Sequence, residues 1–181
     1  MKKIGDMNRE ELAAYVCSHL DKNGVEVTLT GGSCVSIYSN NRYVSMDLDF
    51  IEKMTVRRKE LAAYLMEIGF VEENRYFKHP NTELFIEFPP GPLAVGSEPI
   101  IDTVILKFDT GFLKLISPTE CVKDRLASYY FWNDLQCLDQ ALMVAEQNDI
   151  NLREVKRWSK VEGEEDKFKI FLSKLEMLVR N

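Results

Sequence analysis

Two carboxylates stand two residues apart in the run Ser45-Met46-Asp47-Leu48-Asp49-Phe50-Ile51. The run alternates with a period of two. As a strand it puts Met46, Leu48 and Phe50 on one face and Ser45, Asp47 and Asp49 on the other. Paired acids on one face of a rigid element suit a divalent cation, and oxygen-only ligands favour Mg2+ or Mn2+ over Zn2+. Thirteen residues separate Asp47 from Ser33, the last residue of Thr30-Gly31-Gly32-Ser33. The diglycine permits positive φ and close backbone approach. A helix opening at Ser33 would present amides and a dipole that favour a phosphate. A cation on the acids would then bridge to that phosphate. The competing reading is a pair of solvent-facing strand acids beside an ordinary turn. Its weakness is that like charges on one face repel, and without a cation or partner that cost has no offset.

Gly-Gly-Ser, a spacer, then Asp-x-Asp between apolar residues resembles the signature of the nucleotidyltransferase superfamily. It is most similar to the small bacterial and archaeal enzymes, among them toxins of abortive-infection systems. The resemblance covers residues 25 to 51 well and extends to about residue 90. It implies a mixed sheet flanked by helices, with acids that hold Mg2+ (or Mn2+) against an incoming nucleotide. Such a family carries a third acid on a later strand, and Leu84-Phe85-Ile86-Glu87-Phe88 supplies Glu87 before Pro89-Pro90-Gly91-Pro92. On this resemblance Asp47, Asp49 and Glu87 are catalytic and metal-binding, and Gly31, Gly32 and Ser33 hold the nucleotide's phosphates. Lys123 and Arg125 sit where relatives place basic residues toward the nucleotide, although as residues alone they read equally as surface charges. Toxin-type relatives carry an Arg four residues before the first acid. This chain has Tyr43 there, with Arg42 one step earlier.

The implied reaction moves a nucleoside monophosphate from a triphosphate to a hydroxyl. The acceptor oxygen attacks the α-phosphorus and pyrophosphate leaves. The expected acceptor is an RNA end or a protein, with RNA favoured by the basic groups Arg57-Arg58-Lys59, Lys123 with Arg125, and Lys156-Arg157 with Lys160. An antitoxin partner belongs to the same expectation. The alternative is a nucleotide-binding or scaffold protein that kept the fold and lost turnover.

The elements that must position these groups read as α+β. A helix spans 7–22, capped by Asn8 with Glu11 three residues on. Val25 to Thr30 alternates as a half-buried strand, and the acid strand follows at about 44–51. Thr55 is read as capping a helix to about 68, with Gly69 as its stop. Short strands around a turn at 72–75 and the Glu87 strand form a meander. Pro89 to Pro99 is a loop, and Ile101–Phe108 and Phe112–Ile116 are further strands. Ser117-Pro118-Thr119-Glu120 is a strong helix start, with Ser as cap and Pro at the first position. Helices at 118–131, 134–147, 151–160 and 164–179 complete the chain. The division is therefore a 1–116 α/β core and a 117–181 helical region packed on it. Tyr129 to Trp132 is an aromatic cluster, read as core before base stacking.

The 181 residues suffice for a hydrophobic interior, and 45% apolar with 29% charged residues is ordinary for a globular protein. A net charge of −6 argues against a nonspecific nucleic-acid binder. Cysteines at 17, 34, 121 and 137 are too dispersed, and histidines too few, for a zinc site. Cys34 reads as small apolar packing and His19 as an edge-of-core residue. No apolar run reaches the length of a membrane span. Met1-Lys2-Lys3 has no apolar core after it, so no signal peptide is read and a cytoplasmic location is expected.

Overall fold

The computed structural model describes residues 2–180. In chain order the elements are α1 (Arg9–Lys22), β1 (Val27–Thr30), α2 (Gly31–Tyr38), β2 (Asp47–Glu52), α3 (Arg58–Glu67), β3 (Val71–Glu73), β4 (Tyr76–Lys78), β5 (Phe85–Glu87), β6 (Ala94–Val95), β7 (Glu98–Pro99), β8 (Thr103–Phe108) and β9 (Gly111–Ile116). Four helices follow: α4 (Pro118–Trp132), α5 (Leu135–Gln147), α6 (Leu152–Val161) and α7 (Glu165–Arg180). The fold is α+β. Its mixed seven-stranded sheet has the order β3-β4-β5-β2-β1-β9-β8, and β6 and β7 form a separate ladder.

Local signals account for most of these boundaries. Asn8 and Glu11 satisfy each other's backbone amides in a complete capping box at α1. Ser117 accepts the Glu120 amide at α4, where Pro118 needs no donor partner. Asn74, at φ 59°, turns the chain between β3 and β4. Gly69, at φ 86°, ends the segment after α3.

Four expectations change. β1 is wholly buried, because it lies between β2 and β9 and both of its faces are covered; Thr28 and Thr30 are 4% and 7% exposed. The helix after the diglycine opens at Gly31, with Thr30 as its cap position. Thr55 does not cap α3, which begins at Arg58 after Arg57 without a side-chain cap. There the Arg57 guanidinium pairs with Glu60 instead. The Pro/Gly-rich stretch 89–99 is also more ordered than a loop, since it carries β6 and β7.

The topology that matters to the site is central. β1 runs antiparallel to β2, with Thr30 opposite Asp49, and β2 runs parallel to β5, with Asp49 opposite Glu87. α1 packs across β1, β8 and β9, whereas α2 packs against β1, β2, α4 and α5. Leu29, Leu48, Phe50 and Ile86 from the sheet and Leu126, Leu138, Val155 and Trp158 from the helical region belong to one hydrophobic cluster. The 89–99 stretch docks on α6: the Trp158 indole donates to the Val95 carbonyl at 3.4 Å, and Glu162 accepts from the Ser97 amide at 2.8 Å. Tyr129 and Tyr130 are core, but Phe131 and Trp132 are exposed. No helix among the described residues is long and apolar enough to cross a membrane.

Ser117→Ala should remove the cap of α4 and cost about 1 kcal/mol in urea unfolding. Ser117→Asp should keep most of that stability. Equal midpoints for wild type and Ser117→Ala would show that the cap does not hold this helix.

Candidate active site

The parallel register of β2 and β5 places Glu87 beside Asp49, and strand periodicity places Asp47 two residues away on the same face. One carboxylate oxygen from each of Asp47, Asp49 and Glu87 lies within 4.8 Å of the other two, and all three side chains are partly buried. Asp49 pays the electrostatic cost of this crowding. Burial first, then the charges of Asp47 and Glu87, push its pKa up to about 7, while Arg125 draws it down. Three carboxylate oxygen donors are the donor set a hard divalent cation takes. The residues fit such an ion.

The glycines and hydroxyls around the acids act on them directly. Gly31 adopts φ 67°, and a Cβ there would overlap the Asp49 carboxylate. Only glycine lets the start of α2 close against that acid. A Cβ on Gly32 would meet the Ser45 hydroxyl at 2.8 Å. Ser33 is fully buried and its hydroxyl donates to the Asp47 carbonyl. Thr30 donates to the Asp49 carbonyl at 3.2 Å. The turn Gly31-Gly32-Ser33 thus locks β2 to α2, and the Ser33 proton is engaged with backbone.

The two basic residues expected at the nucleotide part company. Arg125 lies close enough to Asp49 to lower its pKa, and it contacts Asp124 and Gln140. Lys123 is 2% exposed, paired with Glu120 at 3.2 Å and Glu154 at 3.4 Å and set 5.7 Å over the Trp158 ring. It is a buried tie between α4 and α6. Three arginines of the expected phosphate track have acidic partners. Arg57 pairs with Glu60, Arg58 with Glu72, and Arg157 with Glu98 and Glu154. α3 packs on α1 and β3, and α6 packs on α4 and α7.

Sequence reasoning passed over three residues. Arg75, on the turn between β3 and β4, reaches Glu87 at 3.2 Å and is 71% exposed. Its partner depends on the register that sets Tyr76 opposite Glu87, which no local pattern announces. Ser45 donates its hydroxyl to Asp47. The alternation that put Ser45 on the acid face was the signal. Arg9 is a buried cation within α1, 8% exposed and in step with buried Leu12, Ala13, Val16 and Leu20. Arg42 pairs with Glu146 on α5. His19 meets the Tyr64 carbonyl at 2.8 Å, and buried Cys34 lies 3.2 Å from the Leu29 carbonyl.

No protein-family model matches the chain, and no curated protein matches it either. Two solved structures resemble it distantly. An antigenic nucleotidyltransferase-like protein from Paracoccidioides brasiliensis is 16% identical, over 73% of this chain and 74% of that one, with a TM-score of 0.49. The antibiotic-resistance factor ANT(2'')-Ia is 14% identical, over 92% of this chain and 94% of that one, with a TM-score of 0.48.

Asp49 makes stability depend on pH. Unfolded, it titrates near 3.8; folded, near 7. Below about pH 4 it is protonated in both states and contributes nothing. Between these values the unfolded chain ionises first, which favours unfolding by about 1.4 kcal/mol per pH unit at most. Asp49→Asn should therefore raise the melting temperature at pH 8 in the presence of chelator, with the gain closing toward pH 4. A gain that is absent or equal at both pH values would contradict this electrostatic account.

Proposed function

We propose that the protein is a metal-dependent nucleotidyltransferase. The convergence of Asp47, Asp49 and Glu87 beside the start of α2 carries the reading. Its support is the joint presence of three acids on neighbouring strands, a glycine turn closed against one of them, and the resemblance of Gly-Gly-Ser and Asp-x-Asp to that superfamily. A bound Mg2+ or Mn2+ would supply charge neutralisation at the phosphates and acidify the acceptor hydroxyl.

The chain's own groups divide the remaining work. Asp47, Asp49 and Glu87 would hold the cation. The first turn of α2, at Gly31 and Gly32, would face the phosphates through backbone amides and the helix dipole. Arg125, already within electrostatic reach of Asp49, would add positive charge on the α4 side. Glu87 would take the acceptor's proton as its oxygen bonds to the α-phosphorus and the bond to pyrophosphate breaks. Lys123, tied to Glu120 and Glu154, is left out of this assignment. The acceptor is a hydroxyl. The pairing of Arg57, Arg58 and Arg157 with acids weakens the charge argument that favoured RNA, so protein and small-molecule hydroxyls are tested beside it. Abortive-infection toxicity and an antitoxin partner rest on the sequence resemblance alone.

Incubation with each α-phosphate-labelled triphosphate, Mg2+ or Mn2+, and fractionated cellular RNA, protein and small molecules tests the reading. Metal-dependent transfer of label, lost in Asp47→Asn and Glu87→Gln, is the expected result. Wild-type protein that binds triphosphate and Mn2+ yet transfers no label would instead be a nucleotide-binding protein without turnover. Label retained in Asp47→Asn would exclude the acids from the chemistry. Gly31→Ala should also lose transfer, because its Cβ would displace Asp49.

A further inference from the structure

Arg9 is a buried guanidinium with no carboxylate partner among the described residues. Burying such a charge is costly unless its donors are satisfied. It spends them on neutral acceptors in the segment leading to the acid strand. Nη2 and Nε donate to the Ser45 carbonyl at 2.7 and 3.2 Å, and Nη1 donates to the Asn41 side chain at 2.7 Å. Asn40 and Asn41 stand in the left-handed region at φ 53° and 61°, so the chain turns sharply where Arg9 grips it.

Ser45 is held at every polar atom. Its carbonyl accepts from Arg9. Its amide donates to the Ser36 hydroxyl at 3.0 Å, and Ser36 in turn donates to the Gly32 carbonyl at 3.1 Å. Its own hydroxyl donates to Asp47 Oδ1. The bare Cα of Gly32 leaves the space in which Ser45 sits. Ser36 and Ser45 are 0% and 6% exposed, so water does not compete for these bonds. The chain of contacts runs from α1 to the first acid and ends on a carboxylate oxygen.

We infer that Arg9 and Ser45 are positioning residues that set the orientation of Asp47 for a divalent cation. Ser45 engages one oxygen of the carboxylate through a charge-assisted hydrogen bond and leaves its remaining acceptor capacity to the ion. Arg9 fixes the backbone from which that hydroxyl projects. Partners of metal ligands of this kind typically change affinity by about 10–100-fold when removed. The inference rests on the cation reading of the acid trio and assigns the groups that make the first acid competent for it.

Titration calorimetry with Mn2+ alone, on wild type, Ser45→Ala, Arg9→Lys and Arg9→Met, decides the matter, with urea midpoints measured in parallel. Ser45→Ala should bind Mn2+ at least about tenfold more weakly with a midpoint close to wild type. Arg9→Met should also weaken binding, and Arg9→Lys should recover part of the loss. At saturating Mn2+ the Ser45→Ala turnover should approach wild type, a response that a general loss of stability would not give. Ser45→Ala binding within twofold of wild type would overturn the inference while leaving the metal reading intact. Absence of Mn2+ binding by wild type would overturn both. Should Arg9→Met fail to fold, Ser45→Ala carries the decision, since it removes a single hydroxyl.

Discussion

Mutual repulsion among three carboxylates is the constraint to which the centre of this fold answers. Two unit charges about 4 Å apart repel by about 4 kcal/mol at an effective dielectric of about 20. Asp47, Asp49 and Glu87 are held at that scale. They cannot drift apart, because two of them are fixed on one strand and the third is fixed by the parallel register of β2 with β5. Burial first, and this repulsion second, weaken the acidity of Asp49, and Arg75 pairs with Glu87. Arg75 is largely exposed, and its ion pair is of the modest kind that surface charges make. It is a replaceable counter-ion, which is what a site built for a divalent ion would hold.

The surrounding hydroxyls and glycines serve the same end. Thr30 and Ser33 tie the carbonyls of Asp49 and Asp47 to the β1–α2 junction. Gly31 brings the start of α2 against Asp49, and Gly32 makes room for Ser45. A glycine-rich turn is usually read as a cradle for a ligand. Here its missing side chains are filled from within, by the groups that orient the acids. On the proposed reading, phosphate recognition would fall to the backbone amides of the same turn, which glycine does not obstruct.

Much of this was legible in the sequence, and the gaps have identifiable causes. The α+β class, the helix ends at Asn8 and Ser117, the acid strand and the α4–α7 boundaries follow from periodicity and capping, which are local. The half-buried reading of β1 failed because its polar residues, Thr28 and Thr30, are covered from above by tertiary packing. Thr55 failed as a cap because α3 begins only at Arg58, three residues further on. Lys123 looked like an outward charge. Its depth depends on α6 folding back over α4, some thirty residues later, to bring Glu154 and Trp158 to it. Arg9 and Arg75 exert their effects through contacts 36 and 12 residues distant, which spacing does not encode. The acids Glu72 and Glu98, which pair with Arg58 and Arg157 from other elements, were likewise not announced by the charge clusters themselves.

The most direct measurement is anomalous diffraction from crystals grown with Mn2+ and a non-hydrolysable nucleoside triphosphate. The account predicts a manganese peak about 2.1 Å from carboxylate oxygens of Asp47 and Asp49, with Glu87 in the same cluster and the triphosphate against the first turn of α2. A fully occupied nucleotide without manganese at these acids, or manganese bound elsewhere in the protein, would contradict it.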